Sequence, residues 1–79
     1  MFYVYLLKSR KDRRFYVGYS ADLKLRIKEH NEGEVEATRH RRPLDLVYYE
    51  SYKVKKAAQE RERKLKHFGA AYYELLKRI

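Results

Sequence analysis

The side chains left to do chemistry in this 79-residue sequence are tyrosine, arginine, histidine and carboxylate. There is no cysteine, so neither a thiolate metal site nor a disulfide framework can form. The three histidines, His30, His40 and His67, have no pair at zinc-ligand spacing. Ser9, Ser20 and Ser51 carry no readable Ser-His-acid signature. Gly18, Gly33 and Gly69 are too far apart to make a phosphate-cradling loop.

One carboxylate stands out by helical geometry. With Ala58 as origin, Glu62 falls about 40° away and Leu65 about 20° to the other side. Glu62 therefore flanks an apolar stripe, whereas Glu60, about 200° away, faces solvent. An acid beside a buried face costs desolvation unless it is paired or holds a cation. On spacing alone a cation and an ion pair with Arg61, Lys66 or Arg26 are both open. The tyrosines are the second signal. Tyr3 and Tyr5 share a strand face, and Tyr16 lies on the next strand just before Gly18. A glycine inside a strand marks a close approach of backbone or ligand. Strand tyrosines also commonly serve as packing residues, so chemistry and packing stay open here.

The elements that must carry these groups are legible in order. Phe2 to Lys8 is rich in aromatic and β-branched residues and reads as a strand with both faces covered. Phe15 to Tyr19 reads as its hairpin partner. Ser20 is the expected N-cap of a helix from Ala21 to about His30, on which Leu23, Ile27 and His30 share a face bordered by Arg26. Asn31 and Gly33 end it. An acidic loop follows, with room for a helical turn, and then the basic run Arg39-His40-Arg41-Arg42. Leu44 to Tyr52 reads as a third strand. Val54 to His67 reads as a helix with the stripe Val54, Ala58 and Leu65. After Gly69 a short helix to Ile79 is expected to pack Tyr72 or Tyr73, Leu75, Leu76 and Ile79 inward. The order β-β-α-β-α-α predicts an α+β domain over residues 1–79, a three-stranded antiparallel sheet sandwiched by helices.

Twenty Lys and Arg oppose eleven Asp and Glu, leaving a net charge of +9. That field attracts polyanions, nucleic acid foremost. No helix is basic on one face and bulky-apolar on the other, which argues against a membrane surface. No long apolar run or signal pattern is present, so a soluble, cytoplasmic protein is expected. The candidate phosphate contacts are Lys8, Arg10, Arg39, Arg41, Arg42 and Lys66.

Several of these residues fall into a known pattern. Tyr3-Val4-Tyr5, followed by Tyr16-Val17-Gly18, resembles the paired motifs of the GIY-YIG nucleases. Asp22-Leu23, Arg26 and His30-Asn31-Glu32-Gly33 resemble that family's first helix. Thr38, Arg42-Pro43-Leu44 and Leu46-Val47-Tyr48-Tyr49-Glu50 resemble the third-strand segment of its short, stand-alone members. Ala58, Glu62 and Lys66 match its late helix. The chain departs from the pattern at Tyr3, where the motif has Gly, and at Tyr19, where a smaller or branched residue is usual.

The resemblance implies hydrolysis of phosphodiesters with one divalent cation, Mg²⁺ or Mn²⁺, and the expected activity is that of a structure- or end-selective endonuclease with DNA favoured over RNA. It implies Tyr5 and Tyr16 as the motif tyrosines, Arg26 as the catalytic arginine, Glu62 as the metal ligand and His30 as an aid to proton transfer. The rival reading is a non-catalytic nucleic-acid-binding module that retains the fold. The joint presence of Glu62 and Tyr16 favours the enzyme, since a pure binder needs neither.

Overall fold

The computed structural model describes residues 1–79. Its elements run β1 (Phe2–Ser9), β2 (Phe15–Ser20), α1 (Leu23–Asn31), a 3₁₀ helix (Glu36–Arg41), β3 (Leu44–Tyr52), α2 (Lys55–Lys66) and α3 (Ala70–Leu76). The sheet has the order β2-β1-β3 and both pairings are antiparallel. The expected α+β arrangement, with helices on both sides of a three-stranded sheet, is the one observed.

Being central, β1 buries both faces, and Val4, Tyr5, Leu6 and Leu7 are each at most 1% exposed. Val4 and Leu6 join Val17, Ala58, Leu65, Tyr72 and Leu75 in the cluster under α2 and α3. Tyr5 and Leu7 face the other way, with Leu44, Tyr16, Leu23 and Ile27 beneath α1. The period-2 alternation of β1 thus decides which residues meet which helices. In β3 that alternation breaks. Leu6 pairs with Tyr48 but Leu7 with Leu46, which leaves Val47 as an extra residue in a bulge. A bulge resets the facing of the strand beyond it, so Tyr48 packs under α2 while Leu46 opens onto the α1 side.

Three local expectations are corrected, and one is made specific. Asp22, not Ser20, caps α1: its carboxylate accepts from the Leu25 amide at 3.1 Å, and the helix begins at Leu23. Ser20 instead closes a turn, with its hydroxyl accepting from the Asp22 amide at 3.0 Å. The helical turn for which the acidic loop left room is a 3₁₀ helix, Glu36–Arg41, that buries Thr38. Val54 is 60% exposed because it precedes α2 rather than extending its stripe. Ile79 is 49% exposed, beyond the end of α3 at Leu76.

A four-residue network ties α2 to β3. Arg61 donates to both carboxylate oxygens of Glu50, at 2.9 and 3.0 Å, while the Tyr48 and Tyr52 hydroxyls donate to the same carboxylate. Arg61 is therefore engaged by Glu50 rather than by Glu62. No helix is long and apolar enough to cross a membrane.

Candidate active site

Tyr5 leaves the centre of the sheet and lies across β2. Its register partner there is Gly18, and a Cβ at position 18 would run into the Tyr5 ring and hydroxyl. The glycine is what lets the phenol pass over the backbone, a close approach of the kind a strand glycine marks. At its far end the hydroxyl meets His30 Nε2 at 2.8 Å, and the Arg26 guanidinium faces the same oxygen. His30 Nδ1 in turn meets the Thr38 hydroxyl at 2.7 Å. His30 and Thr38 are fully buried.

His30 therefore bridges the Tyr5 and Thr38 hydroxyls through its two ring nitrogens, which in the neutral imidazole are one donor and one acceptor. Burial, reinforced by the nearby Arg26 charge, lowers the His30 pKa to about 4. Burial also pushes Tyr5 up to about 12, against the hydrogen bond from Arg26 and with added repulsion from Tyr16 and Glu62. At neutral pH the chain Arg26–Tyr5–His30–Thr38 thus carries one positive charge, at its exposed end.

Tyr16 stands on the edge strand, half-buried, with its ring edge-on to His30 at 5.2 Å between centroids. Lys66 bridges from α2: its Nζ lies 5.8 Å from the Tyr16 ring centroid and 3.0 Å from Glu62 Oε2. Arg26 keeps a side chain 38% exposed and a contact of 3.3 Å with Glu29, one turn along α1. The structure therefore brings Tyr5, Tyr16, Arg26, His30, Glu62 and Lys66 to one place at the β2 edge of the sheet. None of them lines a hollow of the surface; one hollow, of about 500 Å³, lies between Tyr3, Leu23, Ile27, Leu46 and Tyr49. Tyr5 is 1% exposed and His30 0%.

The donor set restricts the metals that fit. Nowhere do three His, Asp or Glu side chains converge, so a cation held at Glu62 would draw most of its ligands from water and phosphate. That suits a hard, well-hydrated ion of the Mg²⁺ class and does not suit zinc. Lys66 is the present partner of Glu62, in an i,i+4 pair with the lysine 47% exposed. Such pairs are worth about 0.3–0.5 kcal/mol, so surrendering Glu62 to a cation costs little.

The basic candidates do not form one stripe. Arg10 is paired with Asp45 at 2.8 Å. Arg41 is paired with Asp12 at 2.7 Å and reaches the Phe15 carbonyl, and it holds the Asp12 carboxyl down at about 2. Arg10 keeps 68% of its side chain exposed in that pair and Arg41 keeps 23%. Lys8 lies over the Phe15 ring at 5.4 Å. Arg39 and Arg42 line a separate groove with Lys11.

In the sequence Thr38 stands out only as a member of the family pattern, Asn31 as that and as a helix end, and Ser9 not at all as a working residue, so their roles come from the structure. Thr38 stands in a polar segment without periodicity, and its bond to His30 arises only from the 3₁₀ turn. Asn31 looks like a helix end, yet its carboxamide clamps both the amide and the carbonyl of Leu44 at the start of β3. Ser9 is buried, accepts from the Lys11 and Asp12 amides and donates to the Arg41 carbonyl.

A family model described as the GIY-YIG catalytic domain matches residues 1–72. A UPF0213 protein of Staphylococcus saprophyticus is 42% identical over 68 residues, covering 85% of this chain and 82% of that protein. A UPF0213 protein of Natronomonas pharaonis is 40% identical over 75 residues, covering 94% and 87%. The solution NMR structure of a UPF0213 protein from Bacillus halodurans aligns over 96% of this chain and 82% of its own, with a TM-score of 0.59 and 36% identity.

Proposed function

The chain belongs to the GIY-YIG family, and from that premise we propose that it is a metal-dependent endonuclease that hydrolyses nucleic-acid phosphodiesters, DNA in preference to RNA. One observation carries the reading. A half-buried phenol, an exposed guanidinium and a carboxylate with a weakly held partner share one patch, backed by a buried hydrogen-bonded chain.

Phosphodiester hydrolysis needs a deprotonated water, a neutralised phosphate and a stabilised leaving oxygen. Tyr16 is the phenol with access to solvent, and as the phenolate, its own proton given up to solvent beforehand, it takes the proton of the attacking water. Arg26 forks onto the phosphate with two donors, a geometry lysine lacks. Tyr5 and His30 are positioning residues: they hold the guanidinium through the phenol oxygen and keep its base neutral. Glu62 holds the cation, Mg²⁺ or Mn²⁺, which when bound neutralises phosphate charge and eases the ionisation of water. Lys66, released from Glu62, is free to meet the same phosphate.

The test is incubation of the purified chain with labelled single strands, duplexes and branched DNA, and with the RNA equivalents, in Mg²⁺, Mn²⁺ or EDTA. Cleavage of DNA that requires the metal is expected. Binding without cleavage in either metal would establish the non-catalytic module instead.

A further inference from the structure

We propose that a groove on the far side of the His30–Thr38 chain is a second phosphate site, which holds the backbone of the nucleic-acid substrate away from the catalytic patch. The proposal rests on the nucleic-acid reading above and names where a second stretch of backbone lies. The groove encloses about 370 Å³ between Lys11, Asn31, Arg39, His40, Arg42 and Pro43, and no carboxylate lines it. Lys11, Arg39 and Arg42 make no ion pair, as is true of most of the twenty basic residues, but here three of them line one hollow. Three cations from two segments thus face one space without a counter-charge.

Like charges gathered in this way repel, so something must hold them. The hairpin turn is stitched to the 3₁₀ helix through Ser9, whose hydroxyl donates to the Arg41 carbonyl and accepts from the Lys11 and Asp12 amides. The Arg41–Asp12 pair and the Arg10 amide on the Pro43 carbonyl, at 2.9 Å, close the same seam. Asn31, clamped to Leu44, fixes the floor. Arg42 is itself preset. Its Nε donates to the Arg39 carbonyl at 2.8 Å, and its guanidinium lies against Gly33, which at φ 82° presents no side chain to it. Arg41 and Asp12 thus serve the frame, and Lys11, Arg39 and Arg42 are left for an anion.

The groove also has a fixed relation to the catalytic patch. Thr38 and Arg39 are consecutive residues of one 3₁₀ helix: the first is locked to His30, and so to Tyr5, while the second faces the groove. A strand that satisfies both places carries at least one phosphate besides the scissile one, which selects an oligonucleotide over free phosphate.

The experiment is a salt titration of binding without metal, using a 20-nucleotide single strand and its duplex. The groove variant is Lys11→Gln/Arg39→Gln/Arg42→Gln. Lys53→Gln/Lys55→Gln/Lys56→Gln removes the same charge from exposed lysines that make no ion pair. Each phosphate neutralised contributes about 0.9 to the slope of log K against log salt on duplex and about 0.7 on single strand. The groove variant is expected to lose about two such contacts and at least tenfold in affinity, and the control less than threefold. Amide shifts of Lys11, Arg39, His40 and Arg42 in the parent protein on adding the oligonucleotide are expected independently of any variant.

Equal losses in the two variants would reduce the effect to net charge and overturn the proposal. So would shifts confined to Tyr16, Arg26 and their neighbours, or competition by inorganic phosphate at matched phosphate concentration. The two readings fail separately. A protein that never cleaves but keeps the groove-dependent slope sinks the nuclease alone. One that cleaves while binding ignores the groove charges sinks the groove alone.

Discussion

At position 62 a carboxylate and a carboxamide have nearly the same size, but only the first can hold a hard cation. Glu62→Gln is therefore expected to abolish metal-dependent cleavage while leaving the fold intact, since the pair it gives up with Lys66 is a weak i,i+4 contact. Glu60→Gln is the matched control on the exposed face of the same helix. Rates for both, beside circular dichroism melts, are the measurement, and a Glu60→Gln variant that loses activity would refute the assignment of Glu62. Tyr16→Phe isolates the proton step. The ring keeps its contacts with His30 and Lys66 and only the hydroxyl goes. General-base catalysis is typically worth about 10²–10⁴ in rate, so the drop in single-turnover rate should be of that order with binding unchanged. A Tyr16→Phe variant that cuts like the parent would move the proton step to another group.

At the scale of elements, α2 brings Glu62 and Lys66 to the sheet edge, and Arg61 is what fastens α2 to β3. Hydrogen bonds to charged groups contribute about 1.5–3 kcal/mol, and the Glu50 side chain is only 15% exposed. Arg61→Ala is expected to cost about 2 kcal/mol in urea unfolding, and Glu50→Gln less, because the amide still serves the tyrosine hydroxyls. An Arg61→Ala variant as stable as the parent would show that apolar packing of Ala58 and Leu65 suffices. These elements were largely legible beforehand because alternation in β1 and 3.6-residue spacing in α1 and α2 are local signals. What escaped were non-local or φ/ψ-specific features. Ser20 and Asp22 are both good caps by type, and only the chain path chose Asp22. The bulge at Val47 has no composition of its own. Of the site, the gathering of Tyr5, Tyr16, Arg26 and Glu62 followed from spacing and resemblance together. The burial of Tyr5 and His30 did not, because it depends on Gly18 across the sheet and on a 3₁₀ turn that no periodicity announces.

For the molecule as a whole, a buried neutral histidine makes stability depend on pH in a definite window. In the unfolded chain His30 titrates near its ordinary 6.5, and in the folded protein near 4. Between those values only the unfolded state carries the proton. Stability therefore rises with pH wherever the unfolded state binds more protons. It should be full above about pH 6.5 and be lost as pH falls toward about 4, after which this contribution levels off. At about 1.4 kcal/mol per pH unit the loss is on the order of 3 kcal/mol, a large share of what so small a domain has in reserve. The carboxylates do not mimic this. Arg41 holds Asp12 low, Arg10 does the same for Asp45, and Arg61 with the two tyrosine hydroxyls does so for Glu50 against the opposing effect of its burial. Their contributions are present above the unfolded carboxylate range, near pH 4, and are lost only below it. Urea midpoints at pH 7, 6, 5 and 4.5 separate the two. The parent should weaken steadily across that series, and His30→Gln, which keeps a donor and an acceptor for Tyr5 and Thr38 but cannot take up a proton, should stay nearly flat. Parallel slopes in the two proteins would mean that His30 is not the group that titrates, and the neutral imidazole on which the Arg26–Tyr5 arrangement depends would have to be abandoned.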